Sequence, residues 1–373
     1  MEILDSFDDI RPYTHTEAEA AIQRVADHPL FPDILTFLFP DQPFEEFQQR
    51  LRRLRTTEDF QLEVMHPAIW SIVEKTTSAL GYQGFEQLKK DDNYLFISNH
   101  RDILLDSAIL QLLLHQYGLP TSEITFGNNL MKGDLVIDIG KLNKMFKIIR
   151  EGNFREFYRN IARFSVYIRY TITKKGESIW IAQRNGRTKD GADATETAVL
   201  KMFSLSSSQP FVENLAELNI TPTSISYEFE PCDFLKTREI YVSRRVKYLK
   251  APDEDLNSIL HGITQWKGGI HLAITPTITR DELTTCEQSP EKFKMLTQLV
   301  DQRIYSHYKL WPNNYIAYDL RTKSNQNSSQ YSAEQKEYFI EYMTKGLENL
   351  EGDKEELQEI FLSIYANPVV IVN

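Results

Sequence analysis

The 373-residue chain has little cysteine and no long apolar run. Its two cysteines, Cys232 and Cys286, lack the paired spacing of a disulfide framework or of a cysteine zinc site, so both classes are excluded. A helix that spans a bilayer needs about 18 to 20 consecutive apolar residues, and no stretch approaches that length. Residues 1–14 carry a net negative charge, whereas a secretory signal begins with basic residues, so we expect a cytoplasmic protein.

The chain also lacks a surplus of positive charge, since 42 Lys and Arg against 53 Asp and Glu give a net charge of -11. Contacts to nucleic acid phosphates require such a surplus, so a general nucleic-acid-binding protein is excluded. Locally the balance reverses, because residues 131–190 hold 14 Lys and Arg against six acidic residues. This segment predicts a surface that faces an anionic partner. His115, His261, His271 and His307 are scattered without ligand spacing, and we therefore predict no metal site.

The hydrophobic pattern predicts an α/β fold, a mixed sheet with flanking helices, between helical N-terminal and C-terminal extensions. We assign residues 1–84 to a helical N-terminal region, 85–285 to the α/β domain and 286–373 to a helical C-terminal region. Capping boxes are predicted at Thr16 to Glu19 and at Ser332 to Gln335, and helices from Pro67 to Leu80 and from Phe154 to Tyr170. The candidate strands are Tyr94 to Ile97, Ile124 to Phe126, Ile179 to Ala182, Thr223 to Phe229 and Ile270 to Ile274.

The segment from Tyr94 to Asp106 is an apolar strand followed by a polar loop and an apolar helix. The end of such a strand is where α/β folds place ligands. His100 can take up a proton near neutral pH, and an aspartate can orient its ring and stabilise the imidazolium. Asp106 is placed to do so from the first turns of the helix. The alternative is that His100 is a surface residue and that the aspartates cap the helix, for which Asp102 is well suited.

Several segments together resemble a known family. Asn99-His100 with a downstream aspartate is similar to the first motif of the glycerol-3-phosphate and 1-acylglycerol-3-phosphate acyltransferase superfamily, usually H-x-x-x-x-D. Phe146 to Arg150 resembles the second motif, and Gly186 to Gly191 the third, which the family writes E-G-x-R-S. Pro222 before an apolar strand is similar to the fourth, and Gly269 to Pro276 resembles a later strand that ends near a proline. The resemblance covers about residues 84 to 277, in the order of the family.

The resemblance implies direct transfer of an acyl group from acyl-CoA or acyl carrier protein to the hydroxyl of glycerol-3-phosphate or 1-acylglycerol-3-phosphate, with no cofactor and no metal. His100 would be the base and Asp106 its orienting partner. Arg150, Gly186 and Arg187 would bind the anionic acceptor, since the guanidinium fork suits phosphate or carboxylate. An amino-acid lipid acceptor is a second possibility, and a noncatalytic lipid-binding scaffold with the same fold is a third.

Two departures from the family pattern affect the expected site. The histidine and aspartate are separated by one residue more than usual, which rotates a helical position by about 100° and leaves Asp102 as an alternative partner of His100. Alignment on Gly186-Arg187 places Arg184, preceded by Gln183, where the family has its glutamate.

Residues 141–164 interleave apolar and basic side chains, as an interfacial membrane surface does. On this basis we expect a peripheral protein on the inner face of the cell membrane, with Lys141, Lys144 and Lys147 among the headgroups. The alternative is a set of core helices with a solvated basic face.

Overall fold

A seven-stranded mixed sheet forms the centre of the computed structural model, which describes residues 7–131, 133–149 and 153–372. The strands are β1 (Thr77–Gln83), β2 (Leu95–Ser98), β3 (Glu123–Gly127), β4 (Met145–Ile148), β5 (Ile179–Ala182), β6 (Ile220–Tyr227) and β7 (Gly268–Ile274). Their order across the sheet is β1-β7-β6-β2-β5-β3-β4. The predicted α/β class is confirmed, and each of the five candidate strands corresponds to an observed one.

Five of the strands are parallel, from β6 through β2, β5 and β3 to β4. β7 runs antiparallel to β6, and β1 pairs with β7 in parallel. All residues of β2 and β6 are buried, as expected of central strands covered by helices on both faces. Because the five strands are parallel, their carboxyl ends meet at one edge of the sheet.

Helices precede, cover and follow the sheet. Before β1 lie α1 (His15–Asp27), α2 (Phe31–Leu38), α3 (Phe44–Leu51), α4 (Thr57–Phe60) and α5 (His66–Thr76). Between the strands lie α6 (Leu105–Gln116), α7 (Asp134–Leu142), α8 (Phe154–Tyr170), α9 (Thr197–Phe203), α10 (Phe211–Ala216), α11 (Asp233–Ser243) and α12 (Glu254–Thr264). After β7 follow α13 (Arg280–Glu287), α14 (Lys292–Ser306), α15 (Pro312–Thr322), α16 (Ala333–Glu348) and α17 (Lys354–Val372). The bounds predicted for α8 and the capping box of α16, Ser332 with Gln335, are confirmed.

Two predictions for the N-terminal region are wrong. The helix predicted from Pro67 to Leu80 ends at Thr76, and the chain continues as β1. The hydrogen bonds that the open edge of β7 offers outweigh the helical hydrophobic pattern of these residues. The first capping box joins Thr14 and Glu17 rather than Thr16 and Glu19, since the Glu17 carboxylate accepts from the main-chain nitrogen of Thr14 at 2.7 Å. β1 lies before the predicted boundary at residue 84, although it belongs to the central sheet. The division into three regions stays a prediction.

Of the basic, apolar segment 141–164, the beginning and the last residue lie in the core, whereas residues 155–159 are exposed. Leu142, Phe146 and Phe164 are buried in clusters beneath the sheet and the N-terminal helices. Lys141 and Lys144 are also buried, and Lys144 pairs with Glu177 at 3.2 Å. The expectation that Lys141, Lys144 and Lys147 together face lipid headgroups is therefore wrong for the first two. Within the described ranges, no helix is both long and apolar enough to cross a membrane.

Candidate active site at the carboxyl ends of the parallel strands

The loop after β2 is held to the neighbouring strand by Asn99. Its side-chain oxygen accepts from the main-chain nitrogen of Ile225 at 2.8 Å, and its side-chain nitrogen donates to the Ile225 carbonyl at 2.9 Å. The Asn99 side chain therefore extends the pairing of β2 with β6 by forming both hydrogen bonds with the main chain of Ile225. The next residue, His100, therefore begins the loop at a position that is fixed relative to the sheet.

His100 forms a hydrogen-bonded pair with Asp106. The ring nitrogen Nδ1 lies 2.8 Å from Oδ2 of the buried Asp106. The same oxygen accepts from the main-chain nitrogens of Arg101 at 2.6 Å and Asp102 at 3.0 Å, while Oδ1 accepts from the Tyr227 hydroxyl at 2.7 Å. Four donors therefore hold this one carboxylate in place beside the His100 ring. Burial and the nearby Asp106 raise the pKa of Tyr227 well above its ordinary value, so the phenol stays a donor.

This arrangement assigns the proton of neutral His100 to Nδ1, where the acceptor is a carboxylate. No described residue forms a hydrogen bond with Nε2. The His100 side chain lies at the wall of the cleft described below. His100 therefore presents an unprotonated nitrogen to that cleft, and Asp106 is placed to stabilise the imidazolium that forms when Nε2 takes up a proton.

The two aspartates that sequence alone left as alternatives occupy different positions. Oδ1 of Asp102 accepts from the main-chain nitrogens of Leu104 at 2.9 Å and Leu105 at 2.8 Å, and so satisfies two donors at the start of α6, although the N-cap residue itself is Leu104. Burial, and then Asp106, raise the pKa of Asp102. The structure thus places Asp106 against His100 and Asp102 just before the start of α6, in spite of the longer spacing.

A cleft of about 530 Å³ opens in front of His100. Its wall includes the ends of β3, β4 and β5 at Gly127, Ile148 and Ala182, so it lies at the carboxyl edge of the parallel strands. The ring centroid of Trp180 is 5.5 Å from that of His100. Polar side chains of the β5–α9 loop complete the wall.

The other predicted site residues are Gly186, Arg187 and Arg150, and the structure describes the first two. Gly186 and Arg187 line the cleft together with His100. Gly186 has φ +75°, which turns the β5–α9 loop, and a Cβ there would meet nothing within 4 Å. Arg150 lies outside the described residues.

The cations around the cleft fall into two groups. Lys189, Arg244 and Lys250 form ion pairs with Glu239, Glu356 and Asp255, respectively. Arg184 and Arg187 form no ion pair within 4 Å in the described part of the chain, and each has a buried nitrogen without a hydrogen-bond partner there, Nε of Arg184 and Nη1 of Arg187. Because buried polar groups are usually hydrogen-bonded, these two guanidinium groups favour an anionic ligand.

Several buried residues that support the site could not be identified from sequence patterns. Thr188 donates its main-chain N–H to the His100 carbonyl at 2.7 Å and its hydroxyl to Asp193 Oδ1 at 2.5 Å, which ties the third-motif loop to the first. Arg101 is buried against Asp193 and Glu230. The only indication of this support in the sequence is Arg101, the additional residue between His100 and Asp106. No group of three or more His, Cys, Asp or Glu side chains within the described ranges is placed to hold a metal ion.

Neither a protein-family model nor a curated protein sequence matches this chain. Among solved structures, the chain is similar to the crystal structure of the 1-acyl-sn-glycerophosphate (LPA) acyltransferase PlsC from Thermotoga maritima. The identity is 14%, the match covers 78% of this chain and 94% of the other, and the TM-score is 0.38. These values describe a distant similarity of fold.

Proposed function

We propose that this chain is an O-acyltransferase in which His100 is the general base. The observation that carries the proposal is the His100–Asp106 hydrogen bond of 2.8 Å at the wall of a cleft that also carries Arg184 and Arg187, each with a buried nitrogen that has no hydrogen-bond partner among the described residues. Nε2 of His100 would remove the proton of the acceptor hydroxyl while its oxygen attacks the thioester carbonyl carbon. The C–S bond then breaks, and the imidazolium returns the proton to the departing thiolate. Such a base contributes on the order of 10²- to 10⁴-fold in rate.

The acceptor in this proposal carries an anionic group that Arg184 and Arg187 bind. Glycerol-3-phosphate and 1-acylglycerol-3-phosphate meet this requirement through a phosphate, and an amino-acid lipid meets it through a carboxylate. Holding the anion fixes the hydroxyl near His100, which makes the attack effectively intramolecular. Arg184 stands where the family pattern has a glutamate, so the contact on this side of the acceptor is cationic here. Acyl-CoA or acyl carrier protein is the donor, and the chemistry requires no cofactor.

The proposed setting is the inner face of the cell membrane, to which the protein binds peripherally, since the acylated product is a lipid. The competing proposal is a noncatalytic lipid-binding scaffold. The ordered His100–Asp106 pair favours the enzyme, because four donors converge on one buried carboxylate that a passive binding site would not need.

The test is an incubation of the purified full chain with labelled acyl-CoA or acyl-charged carrier protein and, separately, with glycerol-3-phosphate, 1-acylglycerol-3-phosphate, an N-acyl amino acid with a free hydroxyl, or glycerol. Lipid products are separated and counted. We expect turnover with one of the three anionic acceptors and none above background with glycerol, which has no anionic group. Lipid binding without turnover for any donor and acceptor pair would contradict the enzyme and favour the scaffold.

A further inference from the structure

Four buried charges lie directly behind His100. Arg101, Asp193, Glu230 and Lys236 are each at most 3% exposed. Arg101 donates to Asp193 Oδ2 from Nε at 3.0 Å and from Nη2 at 2.7 Å, and from Nη1 to Glu230 Oε2 at 3.2 Å. Lys236 Nζ donates to Glu230 Oε1 at 2.6 Å. Two positive and two negative groups therefore form one neutral cluster, which we call the Arg101 cluster.

Stability alone does not account for such a cluster. Removing charged groups from water is costly, and well-packed apolar side chains of similar volume are often equally stabilising or more so. What the cluster adds over apolar residues is directional hydrogen bonding between distant segments. The partners of Arg101 lie 92 and 129 residues further along the chain.

Hydrogen bonds hold the main chain on both sides of the Arg101 α-carbon, and the one to the carbonyl comes from the Arg101 cluster. The Arg101 N–H donates to Asp106 Oδ2 at 2.6 Å, and the Arg101 carbonyl accepts from Lys236 Nζ at 2.7 Å. The His100 carbonyl, just before it, accepts from Thr188, whose hydroxyl donates to Asp193. The guanidinium also lies over the ring of Tyr308, with 5.4 Å to the centroid.

We propose that Arg101 is a positioning residue that makes the longer histidine-to-aspartate spacing functional. With its side chain fixed inside the protein, the turn from His100 to Asp102 directs two successive N–H groups at the Asp106 oxygen that also meets His100 Nδ1. The additional residue between His100 and Asp106 thereby holds the turn in place. This role rests on the proposed function, since it concerns the same His100.

Arg101→Lys is the principal test, because lysine retains the positive charge but lacks the fork that reaches Asp193 and Glu230 together. Arg101→Met removes the charge as well. The matched control is Lys175→Met, which breaks a pair with the buried Glu123 at the amino end of β3, away from the cleft. All variants are checked by circular dichroism and thermal unfolding. Should Arg101→Met fail to fold, Arg101→Lys carries the test.

For Arg101→Lys we expect kcat to fall about 10- to 100-fold with the KM of both substrates nearly unchanged, because a small misplacement of a reacting group lowers the rate without weakening substrate binding. We also expect the ¹⁵N resonances of the His100 ring, assigned with His100→Ala, to shift, because Asp106 is held less firmly and its hydrogen bond to Nδ1 weakens. Lys175→Met should change neither quantity.

The two readouts separate the possible failures. If wild type shows no turnover but the His100 ¹⁵N resonances shift in Arg101→Lys as expected, the proposed function is wrong and the positioning role stands. If kcat and the His100 ¹⁵N resonances of Arg101→Lys equal those of Lys175→Met, the Arg101 cluster is only structural and the inference is overturned.

Discussion

Replacing Asp106 by asparagine removes the negative charge next to His100 while keeping the size of the side chain. In the wild-type protein Oδ2 of Asp106 receives three donors, the His100 ring and the main-chain nitrogens of Arg101 and Asp102. An asparagine can place its oxygen there and its nitrogen toward Tyr227, so the fold is retained. The imidazolium of His100, however, loses its counter-charge.

The expected loss of activity follows from that counter-charge. A hydrogen bond to a charged group contributes about 1.5 to 3 kcal/mol, and unit charges 4 Å apart interact by about 4 kcal/mol at an effective dielectric constant near 20. Loss of about 2 to 4 kcal/mol of imidazolium stabilisation lowers kcat by about 30- to 900-fold, since about 1.36 kcal/mol corresponds to a factor of ten.

The matched variant is Asp102→Asn. Oδ1 of Asp102 accepts from the main-chain nitrogens of Leu104 and Leu105 at the start of α6, and an asparagine oxygen can accept the same two bonds, so we expect kcat of this variant within about twofold of wild type. Both variants are assayed side by side at saturating donor and acceptor, with thermal unfolding as a control for folding. The reverse ranking, with Asp102→Asn the more damaging, would refute the assignment of Asp106 as partner of His100.

Three further predictions concern the acceptor, the loop and the pH dependence of stability. Arg184→Gln and Arg187→Gln should each raise the acceptor KM about 10- to 100-fold with the donor KM unchanged, because hydrogen bonds to charged groups contribute about 1.5 to 3 kcal/mol. The control is Arg244→Gln, since Arg244 is already paired with Glu356. Equal effects of all three variants would contradict the assignment. Gly191→Ala should lower the unfolding temperature more than Gly186→Ala, since both have positive φ but only a Cβ at Gly191 would lie 2.0 Å from the Ile364 carbonyl oxygen; equal melting temperatures would count against this packing. Burial raises the pKa of Asp233 to about 6, although the hydroxyls of Tyr365 and Tyr342 donate to it, so the folded state keeps this proton at a pH where the unfolded state has lost it. Its contribution to stability is therefore present below about pH 4 and is lost as pH rises to about 6, and the unfolding free energy of wild type minus that of Asp233→Asn, from urea unfolding, should fall over this range; a difference that rises there would contradict the sign.

The fold class and the central pair could be predicted because both leave local traces in the sequence. Apolar runs bounded by polar loops located five strands, and the strand-loop-helix pattern around His100 located the site. The edge strand β1 could not be predicted in this way. None of its residues is fully buried, they do not alternate between the two faces as in a half-buried strand, and its pairing with β7 joins segments about 190 residues apart.

The support of the site was beyond prediction for a different reason. The sequence shows one additional residue between His100 and Asp106, but whether a turn can absorb it depends on where the Arg101 side chain finds partners. Those partners, Asp193 and Glu230, stand in no motif, and only the folded chain brings them together. The same holds for the buried guanidinium nitrogens of Arg184 and Arg187 that have no described partner, since the ion pairs of the neighbouring cations involve distant carboxylates.

The role of His100 as base is tested most directly by the turnover of His100→Ala with the donor and acceptor that wild type uses. His100 lies in a loop at the wall of the cleft, so its removal takes away chemistry rather than core packing, and the variant should fold normally while product formation falls to background. His15→Ala, at an exposed position at the start of α1, is the matched control and should retain wild-type turnover. A folded His100→Ala protein with near-normal turnover would contradict the mechanism.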